Sequence, residues 1–218
     1  FCHNGVNMKI SILGGTGSLG KGLAHRWLKA GHEIIIGSRS MESALKATQA
    51  LDIDDSNACL NDEAALLGDI ACLTVPFAHQ AETLQTVKEN LKNKILIDAT
   101  VPLVPPKVMR VQLPKNGGCA AMIAQTILGE EVRVISAFQN ISAELLQSSH
   151  PINCDVLVCG DKREDRDTVI NLIEDMGLKG WHAGPLCNSA AAEALTSVLI
   201  AINKNHAISH SGITVTGV

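Results

Sequence analysis

Short, dense apolar runs that end in glycine or proline alternate along the chain with stretches whose apolar residues recur every three or four positions. That alternation predicts strands and helices in turn. Lys9-Ile10-Ser11-Ile12-Leu13 is rich in β-branched residues and runs into glycines, so it reads as a buried strand. Over 18–30 the residues Leu19, Leu23, Trp27 and Leu28 fall at helical spacing, and Gly31 supplies the stop. Glu33-Ile34-Ile35-Ile36-Gly37 is the next strand, which completes one βαβ unit with parallel pairing. Helical patterns over 42–50 and 62–67 lead to a strand over 70–75 that Pro76 closes. A helix over 78–90 and a strand over 95–98 follow, then a loop in which Pro102, Pro105 and Pro106 forbid regular structure. A helix over 118–128 and a strand over 132–136 complete a six-element parallel pattern.

The rest of the chain repeats the theme on a smaller scale: a strand over 155–159, a helix over 164–176, a short strand over 179–182 and a long helix over 189–205. The connection over 139–153 has no Gly/Ser linker character, so the two parts should pack closely. The expected fold is therefore a Rossmann-type doubly wound parallel sheet over 8–138 with a small C-terminal α/β domain over 139–218. In the last helix Ala191, Leu195, Val198, Leu199 and Ile202 form an apolar stripe, while alanines leave much of the remaining surface small and uncharged. The tail adds only the strand-like Ile213-Thr214-Val215-Thr216 as cover, so a two-fold homodimer with this helix at or beside the interface is expected.

Composition narrows the function. A formal net charge of -4 and 2% aromatic residues offer neither the basic surplus nor the stacking surface of a nucleic-acid binder. The most apolar stretch, 190–202, is interrupted by Glu193, Thr196 and Ser197, so no membrane span is expected and the chain reads as soluble. Residues 1–7 lack a charged n-region and an apolar h-region and read as sequence upstream of the fold that starts at Met8. Seven cysteines (Cys2, Cys59, Cys72, Cys119, Cys154, Cys159, Cys187) are spread widely without a C-x-x-C pair. They suit a reducing cytoplasm and small buried hydrophobes, not a metal site. Cys187 in particular reads as a packing thiol, since no histidine and asparagine are placed to make it a nucleophile. Glu174-Asp175 reads as a solvated helix end.

Gly15-Thr16-Gly17-Ser18-Leu19-Gly20 matches G-x-G-x-x-G. The motif alone is weak, but here it follows a strand and opens a helix. That context lets a pyrophosphate approach the backbone and meet the helix N-terminus, so a dinucleotide site is expected. At the end of the second strand, where an NAD-binding protein carries a carboxylate for the ribose 2′-hydroxyl, this chain has Ser38-Arg39-Ser40. Arg39 can pair with a 2′-phosphate and the serines can donate hydroxyls, so NADP is the expected cofactor. Thr74, Val75 and Pro76 close a strand at the switch point of the sheet and should flank the nicotinamide ribose. His79 is either beside the cofactor or an ordinary first-turn helix residue.

The block from Met8 to Ala24, with Gly31-His32-Glu33-Ile34 and Gly37-Ser38-Arg39, resembles the NADPH-dependent reductases of coenzyme F-420, an 8-hydroxy-5-deazaflavin. Leu73-Thr74-Val75-Pro76, Pro102-Leu103-Val104-Pro105, Val158-Cys159-Gly160-Asp161, Ala183-Gly184-Pro185-Leu186 and Asn188-Ser189, followed by Glu193, Leu195 and Thr196, carry the resemblance to about residue 203. The opening motif is shared with the cytoplasmic reductase domains of membrane ferric reductases. The resemblance implies hydride exchange between nicotinamide C4 and deazaflavin C5 in a cleft between the two domains. No catalytic acid, base or metal is required of the protein, which supplies orientation. It places Thr16, Ser38 and Arg39 at the 2′-phosphate and Thr196 on the acceptor side, where Gln139 and Asn188 are further expected contacts. Gln139 stands where the family pattern has histidine, Ala190 where it has arginine and Ala194 where it has a hydroxyl; a basic residue soon after Arg39 is also missing. These departures keep open a reductase of another small acceptor, such as an imine, a flavin or chelated ferric iron. A non-catalytic NADPH-binding redox sensor is the third reading.

Overall fold

The computed structural model describes residues 7–116, 118–148 and 150–217. Cys2 and the reading of residues 1–6 as upstream sequence lie outside the described residues. Six strands, β1 (Lys9–Leu13), β2 (Glu33–Ser38), β3 (Ala58–Leu60), β4 (Ile70–Leu73), β5 (Ile95–Asp98) and β6 (Arg133–Ser136), form one parallel sheet in the order β3-β2-β1-β4-β5-β6. Five helices connect them: α1 (Ser18–Lys29), α2 (Met41–Ala50), α3 (Asn61–Leu67), α4 (Gln80–Val87) and α5 (Ala120–Leu128). The order reverses between β1 and β4, whose following helices α1 and α4 lie on opposite faces of the sheet, so a crevice forms beyond their carboxyl ends. This is the expected doubly wound Rossmann-type sheet.

Both faces are covered, which is why its strands read as near-continuous apolar runs. On one face Ile10, Ile12, Ile34, Ile36, Ile97 and Ile135 meet Leu23 and Trp27 of α1. On the other Leu13, Ile35, Leu73, Leu96 and Val134 meet α3, α4 and α5.

The C-terminal part holds α6 (Ala143–Gln147), β7 (Asp155–Val158), α7 (Arg163–Asp175), β8 (Lys179–His182) and α8 (Ser189–His206). β7 and β8 pair in parallel as a second, two-stranded sheet. It is tied to the first by reciprocal backbone bonds between Ser136 and Cys159, at 2.8 and 3.0 Å. The core on the α1 face continues into Val156, Val158, Val169 and Ile173, and Trp27 Nε1 donates to Leu172 O at 2.9 Å.

Four local features differ from the sequence reading. β3 has only three residues, too short for a period-2 pattern, and shows itself only by pairing with β2. Segment 139–153 contains α6, whose Leu146 is buried against α1 and whose carbonyls are gathered by Arg26, with Nε at 3.0 Å from Leu146 O. Ile213-Thr214-Val215-Thr216 forms no strand; Ile213 O accepts from Asp155 N–H at 2.8 Å and Val215 N–H donates to Asp155 Oδ2 at 2.7 Å.

The fourth difference is the orientation of α8. Of the expected stripe only Leu199 is buried, whereas Ala191, Val198 and Ile202 face outward. The inward face carries Ser189, Ala192, Glu193 and Ser197, because polar partners claim three of them: Ser136 of β6 for Ser189, the first N–H groups of α5 for Glu193 and Arg110 O for Ser197. By length and mean hydropathy (1.3) 186–206 could cross a membrane. Its buried carboxylate, bonded to the N-terminus of α5, instead gives it the character of a helix packed on protein.

Candidate functional site

The crevice at the carboxyl edge is built by the turn after β1. Gly14 has φ +75, and a Cβ there would lie 2.5 Å from Val75 Cγ1, so glycine is required. Its N–H donates to Asn61 Oδ1 at 3.1 Å. Gly15 N–H reaches Ile12 O and Gly37 O at 3.2 and 3.0 Å. A Cβ on Gly20 would fall 2.7 Å from Gly15 Cα, so this glycine lets α1 lie tight against the turn. Gly17 differs: a Cβ there meets nothing nearer than Gly14 O at 3.8 Å.

α1 has Gly17 at its N-cap position, no side-chain cap and no acidic residue in its first turn. Its leading N–H groups therefore face the crevice as free donors with a positive dipole end. The crevice is about 500 Å³, and Thr16, Gly17, Ser38, Arg39, Thr74 and Val75 line it together with Pro76 and His79. A neighbouring cleft of about 410 Å³ continues from Ser38, Arg39 and Asn61 to Leu60, Glu82 and Thr86.

Arg39 is exposed at the lip, Ser38 is buried with its Oγ accepting from Ser40 N–H at 3.3 Å, and Ser40 caps α2 by accepting from Ser43 N–H. The second anion-facing feature is thus a helix N-terminus with an arginine beside it. A crevice with open space over Gly17, uncapped donors on α1 and a cation at its lip fits a dinucleotide carrying a 2′-phosphate.

Thr16, Gly17, Ser38, Arg39, Thr74, Val75, Pro76 and His79 gather in one crevice. Gly15 and Gly20 shape the turn beneath it. Ser18 is exposed, with its carbonyl accepting from Gln147 Nε2 at 2.9 Å, and Leu19 packs on the core. Sequence reasoning missed Gly14 and Asn61 as turn-holding residues, as well as Ser43 and Thr83 on the wall. Gly14 carried a signal, standing one position ahead of the motif. Asn61 carried none, because β3 brings it there.

On the other side of the sheet edge Gln139 is 4% exposed; its Nε2 donates to Asp98 O at 2.8 Å and its Oε1 has no partner. Thr196 Oγ1 donates to Gln139 O at 2.6 Å, and both residues line a cavity of about 170 Å³ with Asn140 and His210. Asn188 is elsewhere: it is exposed, its Nδ2 donates to Ala183 O at 2.8 Å, and it lines a separate cavity of about 330 Å³ beside Cys159 and Cys187. Cys187 is exposed, contrary to the packing role read for it, because it sits in the short turn that opens α8; the other described cysteines are buried. Among the described residues no three His, Cys, Asp or Glu side chains gather as metal ligands.

Beneath both sides lies Asp98, fully buried at the end of β5. Its carboxylate accepts from Gln80 Nε2 at 2.7 Å and Thr100 N–H at 2.9 Å. Burial outweighs these bonds and, with the nearby Glu193 carboxylate, pushes its pKa from 3.8 up to about 6. A carboxyl raised on folding favours the folded state when protonated. The stability it supports is complete below 3.8 and is lost as pH rises through about 6. The change is on the order of 2–3 kcal/mol. Asp98→Asn removes this titration, and Gln80 can turn its unpartnered Oε1 toward the new amide. Urea melts from acid to mildly alkaline pH should therefore fall less steeply for the variant; parallel curves would contradict the account.

The family model described as NADP oxidoreductase coenzyme F420-dependent matches residues 9–102. The F420-dependent NADP reductase of Methanothermobacter marburgensis is 40% identical over 220 residues, covering 96% of this chain and 98% of that protein. The chain belongs to this reductase family. The F420-dependent NADP reductase of Methanocaldococcus jannaschii is 38% identical over 222 residues, covering 96% and 98%. A crystal structure from Arthrobacter sp. fb24 shares the fold, with TM-score 0.84 at 23% identity over 97% of this chain and 100% of that one. As a member of the family, the protein is an oxidoreductase that links NADP(H) to a small-molecule acceptor.

Proposed function

We propose that this chain transfers a hydride between NADP(H), held in the glycine crevice, and the deazaflavin coenzyme F-420, held on the side of Gln139 and Thr196. The observation that carries the reading is the uncapped N-terminus of α1, open over Gly17 and facing a crevice that ends at Arg39. The end-to-end similarity to F420-dependent NADP reductases supports the acceptor. In this reading 8–138 hold the dinucleotide and 139–218 complete the acceptor side.

When bound, the reduced nicotinamide supplies the hydride, and deazaflavin C5 receives it while a proton enters from solvent. The protein's own part is orientation. The α1 N–H groups fix the pyrophosphate, Arg39 and the α2 N-terminus fix the 2′-phosphate, and Thr74, Val75 and Pro76 wall the crevice toward β4. His79 at the start of α4 borders the same space. The unpartnered Oε1 of Gln139 accepts from an N–H or O–H of the acceptor. Loss of NADPH absorbance with F-420, and not with FMN or ferric citrate, is the expected result. Turnover with FMN or ferric citrate alone would move the assignment to another acceptor, a reading that Gln139, Ala190 and Ala194 favour.

We further propose that the protein is a homodimer of the cytoplasm, a compartment in which its free, mostly buried cysteines stay reduced. Val198 (44%) and Ile202 (36%) on α8, with Ile208 (48%) beyond it, stay exposed in a single chain. Aliphatic side chains left outward in this way are suited to burial against a second copy. Light scattering at micromolar concentration should give about twice the 23.1 kDa of the chain; a mass near 23.1 kDa, unchanged on dilution and on adding NADPH, would refute the dimer.

A further inference from the structure

α5 has no side-chain cap of its own. Its first N–H groups, those of Ala120 and Ala121, donate instead to the Glu193 carboxylate of α8, at 2.7 and 3.1 Å. Glu193 is 1% exposed. Among the described residues no lysine or arginine pairs with it, so helix N–H groups and one hydroxyl carry the compensation. That hydroxyl is Ser189 Oγ, which donates to Glu193 Oε1 at 2.6 Å and lies 2.8 Å from Ser136 Oγ of β6. One turn further along α8, Thr196 bonds to Gln139 O. α8 is thus fastened at three successive points, to β6 through Ser189, to α5 through its only carboxylate and to the segment after β6 through Thr196, while Ala191, Val198 and Ile202 of its apolar stripe face outward.

We propose that Glu193 is a positioning residue for hydride transfer. By occupying the N-terminus of α5, its carboxylate sets where α8 lies on the sheet, and so where Thr196 stands toward the acceptor. The proposal rests on the reading that the Gln139–Thr196 side receives the acceptor. Glu193 lines no part of the glycine crevice, so it acts through α8 and leaves the dinucleotide end alone.

The test compares Glu193→Ala and Glu193→Gln with the wild type by steady-state kinetics with F-420, NADPH fluorescence titration and amide hydrogen exchange. Glu193→Ala should raise the acceptor KM by about tenfold or more with NADPH Kd within about twofold. Glu193→Gln, whose Oε1 still accepts one N–H, should return to within about threefold of wild type. Faster exchange should be confined to the first turn of α5 and to α8, sparing β1 and β2. KM and Kd rising together, or an unchanged α8 exchange rate in Glu193→Ala, would overturn the proposal. Hydrogen exchange needs no acceptor, so failure to reduce F-420 would sink the acceptor reading, and the positioning role with it, while exchange still decides whether Glu193 seats α8 on α5.

Discussion

Gly17→Val is expected to weaken NADPH binding by at least about a hundredfold in a protein that folds normally. The backbone at Gly17 has φ -76 and ψ 167, an extended conformation that valine adopts readily. A Cβ there meets only Gly14 O, at 3.8 Å, so folding is not opposed. The isopropyl group instead fills the space over the first turn of α1, where a pyrophosphate must come within hydrogen-bond reach of the N–H groups. The neighbouring glycines cannot make this test. Gly14 needs its positive φ, and side chains on Gly14 or Gly20 would run into Val75 or Gly15, so binding would be lost along with the turn. A thermal melt close to wild type with no NADPH titration is the expected pair of results. A folded variant that titrates like wild type would remove the crevice from consideration.

What the sequence made legible follows from how local each signal is. The β1-turn-α1-β2 unit is legible because strand, glycines and helix adjoin, and each glycine has a steric reason within a few residues of itself. The crevice lip is legible for the same reason, since Ser38 ends β2 and Arg39 follows it directly. The residues that stayed hidden are held by distant partners. Asn61 matters because its Oδ1 meets Gly14 N–H across 47 positions of chain, and β3 before it is too short to show a pattern. α8 shows the limit most clearly. Its apolar stripe predicts the buried face, but Glu193 is bonded to N–H groups 72 and 73 positions away, and that desolvated carboxylate turns the helix so that much of the stripe looks outward. A buried charge with defined partners outweighs a few half-exposed aliphatic side chains, and a sequence pattern does not record partners. The same holds on the acceptor side, where Gln139 and Thr196 meet through a backbone carbonyl while Asn188 is drawn to Ala183.

Arg39→Ala is expected to raise the Kd for NADPH by roughly tenfold to a hundredfold and to leave that for NADH nearly unchanged. The guanidinium is exposed at the lip of the crevice, beside the N-terminus of α2 that Ser40 caps. Glu42, the acidic residue in the first turn of α2, is engaged by Lys46 at 2.6 Å. A 2′-phosphate arriving there meets a planar donor fork and a helix dipole of the favourable sign. Charge-assisted bonds of this kind contribute about 1.5–3 kcal/mol, and exposure at the lip puts Arg39 toward the lower end of that range. The charge also fixes the salt response: added salt should weaken NADPH binding more in the wild type than in Arg39→Ala, because the variant has lost an attraction that ions screen. Arg39→Lys should fall between the two, keeping the charge and losing the fork. An NADPH-to-NADH affinity ratio unchanged in Arg39→Ala would remove Arg39 from the 2′-phosphate. An equal loss for both cofactors would instead put it on the part of the dinucleotide that they share.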